Sequence, residues 1–324
     1  GQSSALWQQN EEQDTSTVFI FPLPLASGGG HWSWWDARQR YLDALTRSRK
    51  DDTEVEPGRD RAFGELFENL GHLTHLVQDA FVPAHTRNDA HPLFVRPDWY
   101  ERWVQETRRD RPGLFTTLLS ATPKRPDLAI FTSIGNTRAP VPVARLIDTD
   151  TFSPLDAGVL GNENSLIGAA EYTNGNFLSR GTLFRAFALP RPTALDPGEI
   201  IEESPRQFRR YFTKSRDGAT IPRFVTEGML FDSLDAAQAA PMPSAGWMFD
   251  DRVHEDYAGA LLPRAVGYSA ALLDYFFRGK LDVEALPETD NPSVVRVKGK
   301  NASPEALVAG TLKLSLAQYR EMAA

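Results

Sequence analysis

The chain has 324 residues, 41% of them hydrophobic and 24% charged, and no apolar run approaches the roughly 20 residues that a membrane-spanning helix requires. A formal net charge of -8 leaves no electrostatic footprint for a nucleic-acid backbone, which disfavours polyanion binding as the main role. The absence of cysteine excludes disulfides and thiolate metal sites, so any transition metal must be held by imidazole and carboxylate.

In chain order, polar "QQNEEQDTST" runs into "VFIFPLPLASGGG", whose prolines and glycines forbid a long helix and predict a short extended piece plus loop. No charged-then-apolar secretory segment opens the sequence, which leaves export undecided. Apolar residues at helical spacing predict a helix from Trp34 to Arg47, and "DDTEVEPGRD" interrupts it with a solvated turn. A second helix, Arg61 to Ala80, has the strongest period, with Phe63, Leu66, Phe67, Leu70, Leu73 and Val77 on one apolar face; Pro83 is expected to end the segment. A third helix begins near Pro97 with "DWYERWVQETRRD" and closes at "RPG".

Residues 122 to 160 are rich in proline and read as loop, and "NSLIGAAEYTNGNFLS" from Asn164 reads as helix. Alternation on both sides of Asp217-Gly218 predicts a β-hairpin across residues 208 to 227. "VHEDYAGALLPRAVGYSAALLDYFFRG" predicts a buried helix stopped by Gly279. "SVVRVKGKNASPEALVAGTLKLSL" predicts two short strands around a polar connection. The expected organisation is therefore an all-α domain over residues 1–280 with one β-hairpin insert, followed by a β-rich segment over residues 281–324.

The chemistry concentrates in "HLTHLVQDAFVPAH", which holds three of the six histidines. At about 100° per residue, Glu68, His72, His75 and Asp79 share one stripe opposite the apolar face of the second helix. A solvated polar face is one reading of that stripe. The other is a metal site: His75 and Asp79 are an i, i+4 pair, and His85 returns just past Pro83. Such a donor set suits zinc in a hydrolytic site that keeps open positions for water. His254, in "VHEDY", reads as a surface helix start, and Glu171 either points at the cluster or stays exposed. Trp32, Trp34, Trp35, Trp99 and Trp103 read as core or interface packing, or as an aromatic wall for a choline-type cation.

"LGHLTHLVQDAFVPAH" resembles the "LGxxxHxxxDxxxPxH" segment of the bacterial zinc-dependent phospholipase C enzymes and the related single-strand nucleases. The resemblance spans about residues 10 to 280, with its firm motifs between Leu70 and Glu101. It implies a helical fold and a zinc cluster of two ions, or three, with His75, Asp79 and His85 as ligands and Glu101 of "PDWYERWV" on the second ion. Where that family has a histidine one turn before the glutamate, this chain has Pro97, and His91 from "RNDAH" is the replacement candidate, with Asp89 or Asp98 behind it. For the first ion the family adds an aspartate and a histidine ahead of the helices, for which Asp14 and His31 are the candidates. The third ion's amino-terminal histidine has no counterpart before His31.

The implied activity is hydrolysis of a phosphodiester by a zinc-activated water, with Asp79 positioning or bridging metal and Asp14 the candidate general base. The implied substrate is a phospholipid or another small phosphodiester, with peripheral membrane contact and a secreted or periplasmic location. The rival readings are a nuclease of the same superfamily, and a metal-depleted relative serving as a binding or structural module.

Overall fold

The computed structural model describes residues 8, 17–20, 23–26, 32–46, 58–87, 89, 98–127, 145–148, 168–179, 195–205, 207–215, 219–230, 247–288 and 290–303. Among them are the helices α1 (Trp34–Thr46), α2 (Arg59–Asp79), α3 (Pro83–Thr86), α4 (Trp99–Asp110), α5 (Pro112–Ser120), α6 (Ala169–Asn176) and α7 (Asp251–Phe276). The strands are β1 (Thr17–Ile20), β2 (Leu23–Ala26), β3 (Asp196–Ser204), β4 (Gln207–Lys214), β5 (Ile221–Leu230), β6 (Leu281–Glu288) and β7 (Asn291–Asn301).

The fold is mixed, which corrects the all-α expectation. The strands form three antiparallel sheets, β1-β2, β3-β4-β5 and β6-β7, and the second of these is part of the core. Tyr211, Phe212, Ile221, Phe224 and Val225 of β4 and β5 are buried with the helices rather than looped out as an insert. The alternation that predicts the β4-β5 hairpin is present, but it carries no mark of the third strand. β3, "DPGEIIEES", is mostly exposed and pairs with β4 through register shifts, so it shows no two-residue period.

α7 is the axis of the assembly, in contact with α2, α4, α5, α6 and β5. Asp250 caps its start by accepting from the Arg252 and Val253 amides at 3.1 and 3.0 Å, and the Tyr211 hydroxyl donates to the same carboxylate at 2.7 Å. The sheet and the helix start are thereby fixed together. Pro263 stands inside α7, and the Lys124 amide donates to its carbonyl at 2.9 Å. α1 packs along α2, where Arg40 reaches the Glu65 carbonyl at 3.3 Å.

The apolar face of α2 differs from the predicted one: Ala62 is buried and Phe63 only partly so. Phe67 is 60% exposed, while Asn69 is buried beside Leu66, Leu70, Leu73 and Val77. Pro83 ends nothing: α2 stops at Asp79, and the proline opens α3 at its first position, where its missing N–H costs no hydrogen bond. In the same way Pro112 opens α5 directly behind α4.

The β6-β7 hairpin stands apart from the core, each strand packing mainly on the other. Leu281, Val283, Ala285, Pro287, Val295 and Val297 lie on one of its faces, and Asp282, Glu284, Lys298 and Lys300 on the other. The strand expected after Lys300 lies outside the described residues, as does the Asp217-Gly218 turn. No helix among the described residues is long and apolar enough to cross a membrane.

Candidate metal centre

Two helix ends and one short turn build the site. His75 and Asp79 sit one turn apart near the C-terminal end of α2, on its solvent side. The chain then reverses through two tight steps, the Phe81 amide bonding the Gln78 carbonyl and the Val82 amide the Asp79 carbonyl, both at 2.9 Å. Val82 is extended, as the residue before a proline prefers, and that aims α3 back past the end of α2. His85 projects from α3. Glu101 comes from the first turn of α4, whose amide is capped by the Asp98 carboxylate at 2.8 Å.

The four side chains form a line. His75 Nε2 is 3.4 Å from Asp79 Oδ2, His85 Nδ1 is 3.6 Å from Asp79 Oδ1, and His85 Nε2 is 3.8 Å from Glu101 Oε1. These separations are too long to be good hydrogen bonds. They match another geometry: ligand atoms about 2.0–2.2 Å from a tetrahedral ion lie roughly 3.3–3.6 Å from one another. The His75-Asp79 separation falls within that range, the His85-Asp79 separation at its upper end, and the His85-Glu101 separation a little beyond.

The donor set is nitrogen and oxygen throughout, as a chain without cysteine requires, so the residues fit zinc. Asp79 is the shared element. One of its oxygens faces His75, and the other faces the nitrogen of His85 that points away from Glu101. In metal sites a carboxylate commonly orients the free nitrogen of a ligating imidazole in this way. Exposure falls along the line from 68% for the His75 side chain to 28% for His85 and rises again to 44% for Glu101, so a solute can reach the site from outside.

Among the described residues, no group of three or more histidine and carboxylate side chains encloses one metal position. Each of the two pairs, His75 with Asp79 and His85 with Glu101, would supply two ligands to an ion. The candidates for completing them, Asp14 and His31 for the first and His91 for the second, lie outside the described residues.

The other singled-out residues go elsewhere. His72 packs against Trp32 with ring centroids 4.5 Å apart and the rings tilted by 35°, and Arg40 lies 4.7 Å from the same indole. Glu68 is exposed on α2. Glu171 neither points at the cluster nor stays free: its carboxylate accepts the Gly168 amide at 2.7 Å and caps α6. Asp89 closes the far side of the α3 turn, its amide bonding the Ala84 carbonyl at 2.9 Å.

Sequence reasoning misplaced His254 and overlooked Arg87. His254 is 8% exposed, packed among Phe249, Tyr100 and Trp103, rather than a surface residue. It lines a recess behind the site with Pro83, Asp98, Tyr100 and Tyr257. Burial, reinforced by the Asp98 and Glu101 carboxylates, pushes the Tyr100 phenol well above the ordinary range, so it stays a neutral donor. No local signal marks either residue, because each is buried by elements distant in sequence.

Trp34 and Trp103 are core residues and Trp99 is 45% exposed. The chain matches no known family model, no curated protein and no solved structure.

Proposed function

We propose that this chain is a metal-dependent phosphodiester hydrolase of the phospholipase C type, acting on a phospholipid or another small phosphodiester with two zinc ions as cofactors. The observation that carries the reading is the line His75-Asp79-His85-Glu101, in which the His75-Asp79 edge of 3.4 Å has the spacing of two ligands on one ion, the His85-Glu101 edge of 3.8 Å lies just beyond it, and Asp79 joins the two pairs at 3.6 Å. The resemblance of "LGHLTHLVQDAFVPAH" to the phospholipase segment supports it from the sequence side.

When bound, zinc supplies a water acidified toward pH 7 and positive charge for the phosphoryl oxygens. The chain's own part is to hold and orient. His75 and Asp79 present one nitrogen and one oxygen from a single helical turn, a pairing set by backbone geometry rather than by a mobile loop. His85 and Glu101 present the second pair, and the remaining Asp79 oxygen keeps the His85 ring turned toward Glu101. Asp14 is the proposed base for the attacking water. The exposed flank at His75 leaves room for a phosphodiester to approach. Export, to the periplasm or beyond, and peripheral contact with a lipid surface belong to the same reading.

One observation favours a second reading, a metal-depleted relative serving as a binding module: Pro97 occupies the ligand position before Glu101, and each pair among the described residues offers two ligands only. Metal content of the purified protein by mass spectrometry separates the two, together with hydrolysis of a chromogenic phosphodiester before and after chelation. Bound zinc and chelator-sensitive hydrolysis are expected. Metal-free protein that takes up no added zinc would overturn the hydrolase reading.

A further inference from the structure

His85 rides on α3, a single turn of four residues, and so short a helix does not hold itself together through its own backbone bonds. The fixing point lies two residues on. Arg87 is only 3% exposed, and its Nη1 donates to the Asn174 carbonyl at 2.8 Å, to Asn174 Oδ1 at 3.1 Å and to the Phe177 carbonyl at 3.3 Å. These acceptors form the C-terminal end of α6, where carbonyls lack partners within the helix and the helix dipole is negative. A buried guanidinium is well placed there.

The α6 end is itself tied down. The Leu178 amide donates to the Tyr257 hydroxyl at 3.3 Å, and that hydroxyl donates to the Phe224 carbonyl on β5 at 3.0 Å. A continuous set of contacts therefore runs from the His85 turn through Arg87 and α6 to α7 and the sheet. The Thr86 side chain stays within the turn, its hydroxyl donating to the Pro83 carbonyl at 3.3 Å.

We propose that Arg87 is a positioning residue for His85, clamping the α3 turn to the C-terminal end of α6 so that the imidazole keeps its register between Asp79 and Glu101. The functional consequence rests on the zinc reading of the site, whereas the clamp is a property of the metal-free chain. With His85 at 3.6 and 3.8 Å from the two carboxylates, a displacement of about 1 Å would separate the ring from one of them. All three contacts come from the one nitrogen Nη1, so lysine, with a single ammonium on a more flexible stem, is a partial substitute and methionine none.

The test compares Arg87→Lys and Arg87→Met with the native protein in two measurements. In metal-free protein, hydrogen exchange of the His85, Thr86, Arg87 and Asp89 amides, which bond to Val82, Pro83 and Ala84 carbonyls, is followed against that of α1 and α2. Protection of the turn is expected to fall at least about tenfold in Arg87→Met and less in Arg87→Lys, with α1 and α2 unchanged.

In zinc titrations the His85-Glu101 ion is expected to weaken by roughly 10–100-fold while the His75-Asp79 ion keeps its affinity. Unchanged protection of the turn overturns the proposal whatever zinc does, and so does a loss spread evenly over the chain, which would make Arg87 a general stabiliser. Loosened turn amides with both zinc affinities intact also overturn it. If the native protein binds no zinc while the turn loosens as expected, the clamp is supported and it is the zinc reading that fails.

Discussion

His85 Nε2 stands 3.8 Å from Glu101 Oε1, although the two side chains come from separate helices with a long connection between them. Proximity of this kind between an imidazole and a half-exposed carboxylate contributes little to folding. Its value lies in what it can hold. Glu101→Gln keeps the shape and removes the charge, and Asp98 caps the backbone amide of Glu101 independently of its side chain, so α4 should stay intact. Zinc titration of this variant is expected to show the weaker ion lost by at least about tenfold, with the tighter one retained. Equal weakening of both would show that the two pairs serve a single ion.

His75 offers the complementary experiment. Its side chain is 68% exposed and lies off the buried face of α2, so His75→Ala should change unfolding free energy by no more than about 0.5 kcal/mol. The same substitution is expected to remove the first ion and with it hydrolysis of a chromogenic phosphodiester. Unchanged zinc stoichiometry would return the stripe of Glu68, His72, His75 and Asp79 to an ordinary solvated face.

How much of this was legible beforehand depended on the range of the interaction. The His75-Asp79 pair follows from helical periodicity alone, since both residues share one turn, and the sequence places them correctly. The approach of His85 to Asp79 was readable in part, because Pro83 signals a reversal, although the proline opens a new turn instead of ending the old one. Arg87, His254 and Tyr100 were not readable, since their burial involves partners on α6, α4 and α7 respectively. The error in fold class has the same origin. β3 has no two-residue period, and only its pairing with β4 makes it a strand.

Close backbone approach at Gly267 supports a prediction about stability alone. A Cβ on this residue of α7 would stand 2.2 Å from the Lys124 carbonyl oxygen and 2.4 Å from its carbon, both main-chain atoms that cannot rotate away. The 121–127 segment is held at that spot by the Lys124 amide bond to the Pro263 carbonyl, 2.9 Å long. Gly267→Ala should therefore destabilise the protein by about 1–3 kcal/mol, despite the better helix propensity of alanine. Urea unfolding checks this, and Gly64→Ala in the open middle of α2, where no atom lies within 4 Å, serves as the control expected to be neutral or stabilising.

Alkaline conditions provide the last prediction, because buried phenols and a buried guanidinium pull in opposite directions. Burial is the leading cause that raises Tyr100, Tyr211, Tyr257 and Tyr268, the last of them to about 12. Above about pH 10 the unfolded chain releases these phenolic protons while the folded chain still holds them, so stability present below that pH is lost as pH rises. Burial lowers Arg87 from 12.5 to about 10, and here the folded chain loses the proton first, which makes stability rise over the same window. With Tyr172, raised by the same cause, five phenols outweigh one guanidinium, so the net effect is a fall. Urea midpoints should drop between about pH 9 and about pH 11, and the phenolate absorbance of these tyrosines should appear together with unfolding rather than before it. Phenolate absorbance from all tyrosines in a chain that is still folded would show that these hydroxyls reach water, and the core drawn around Tyr257 would then be wrong.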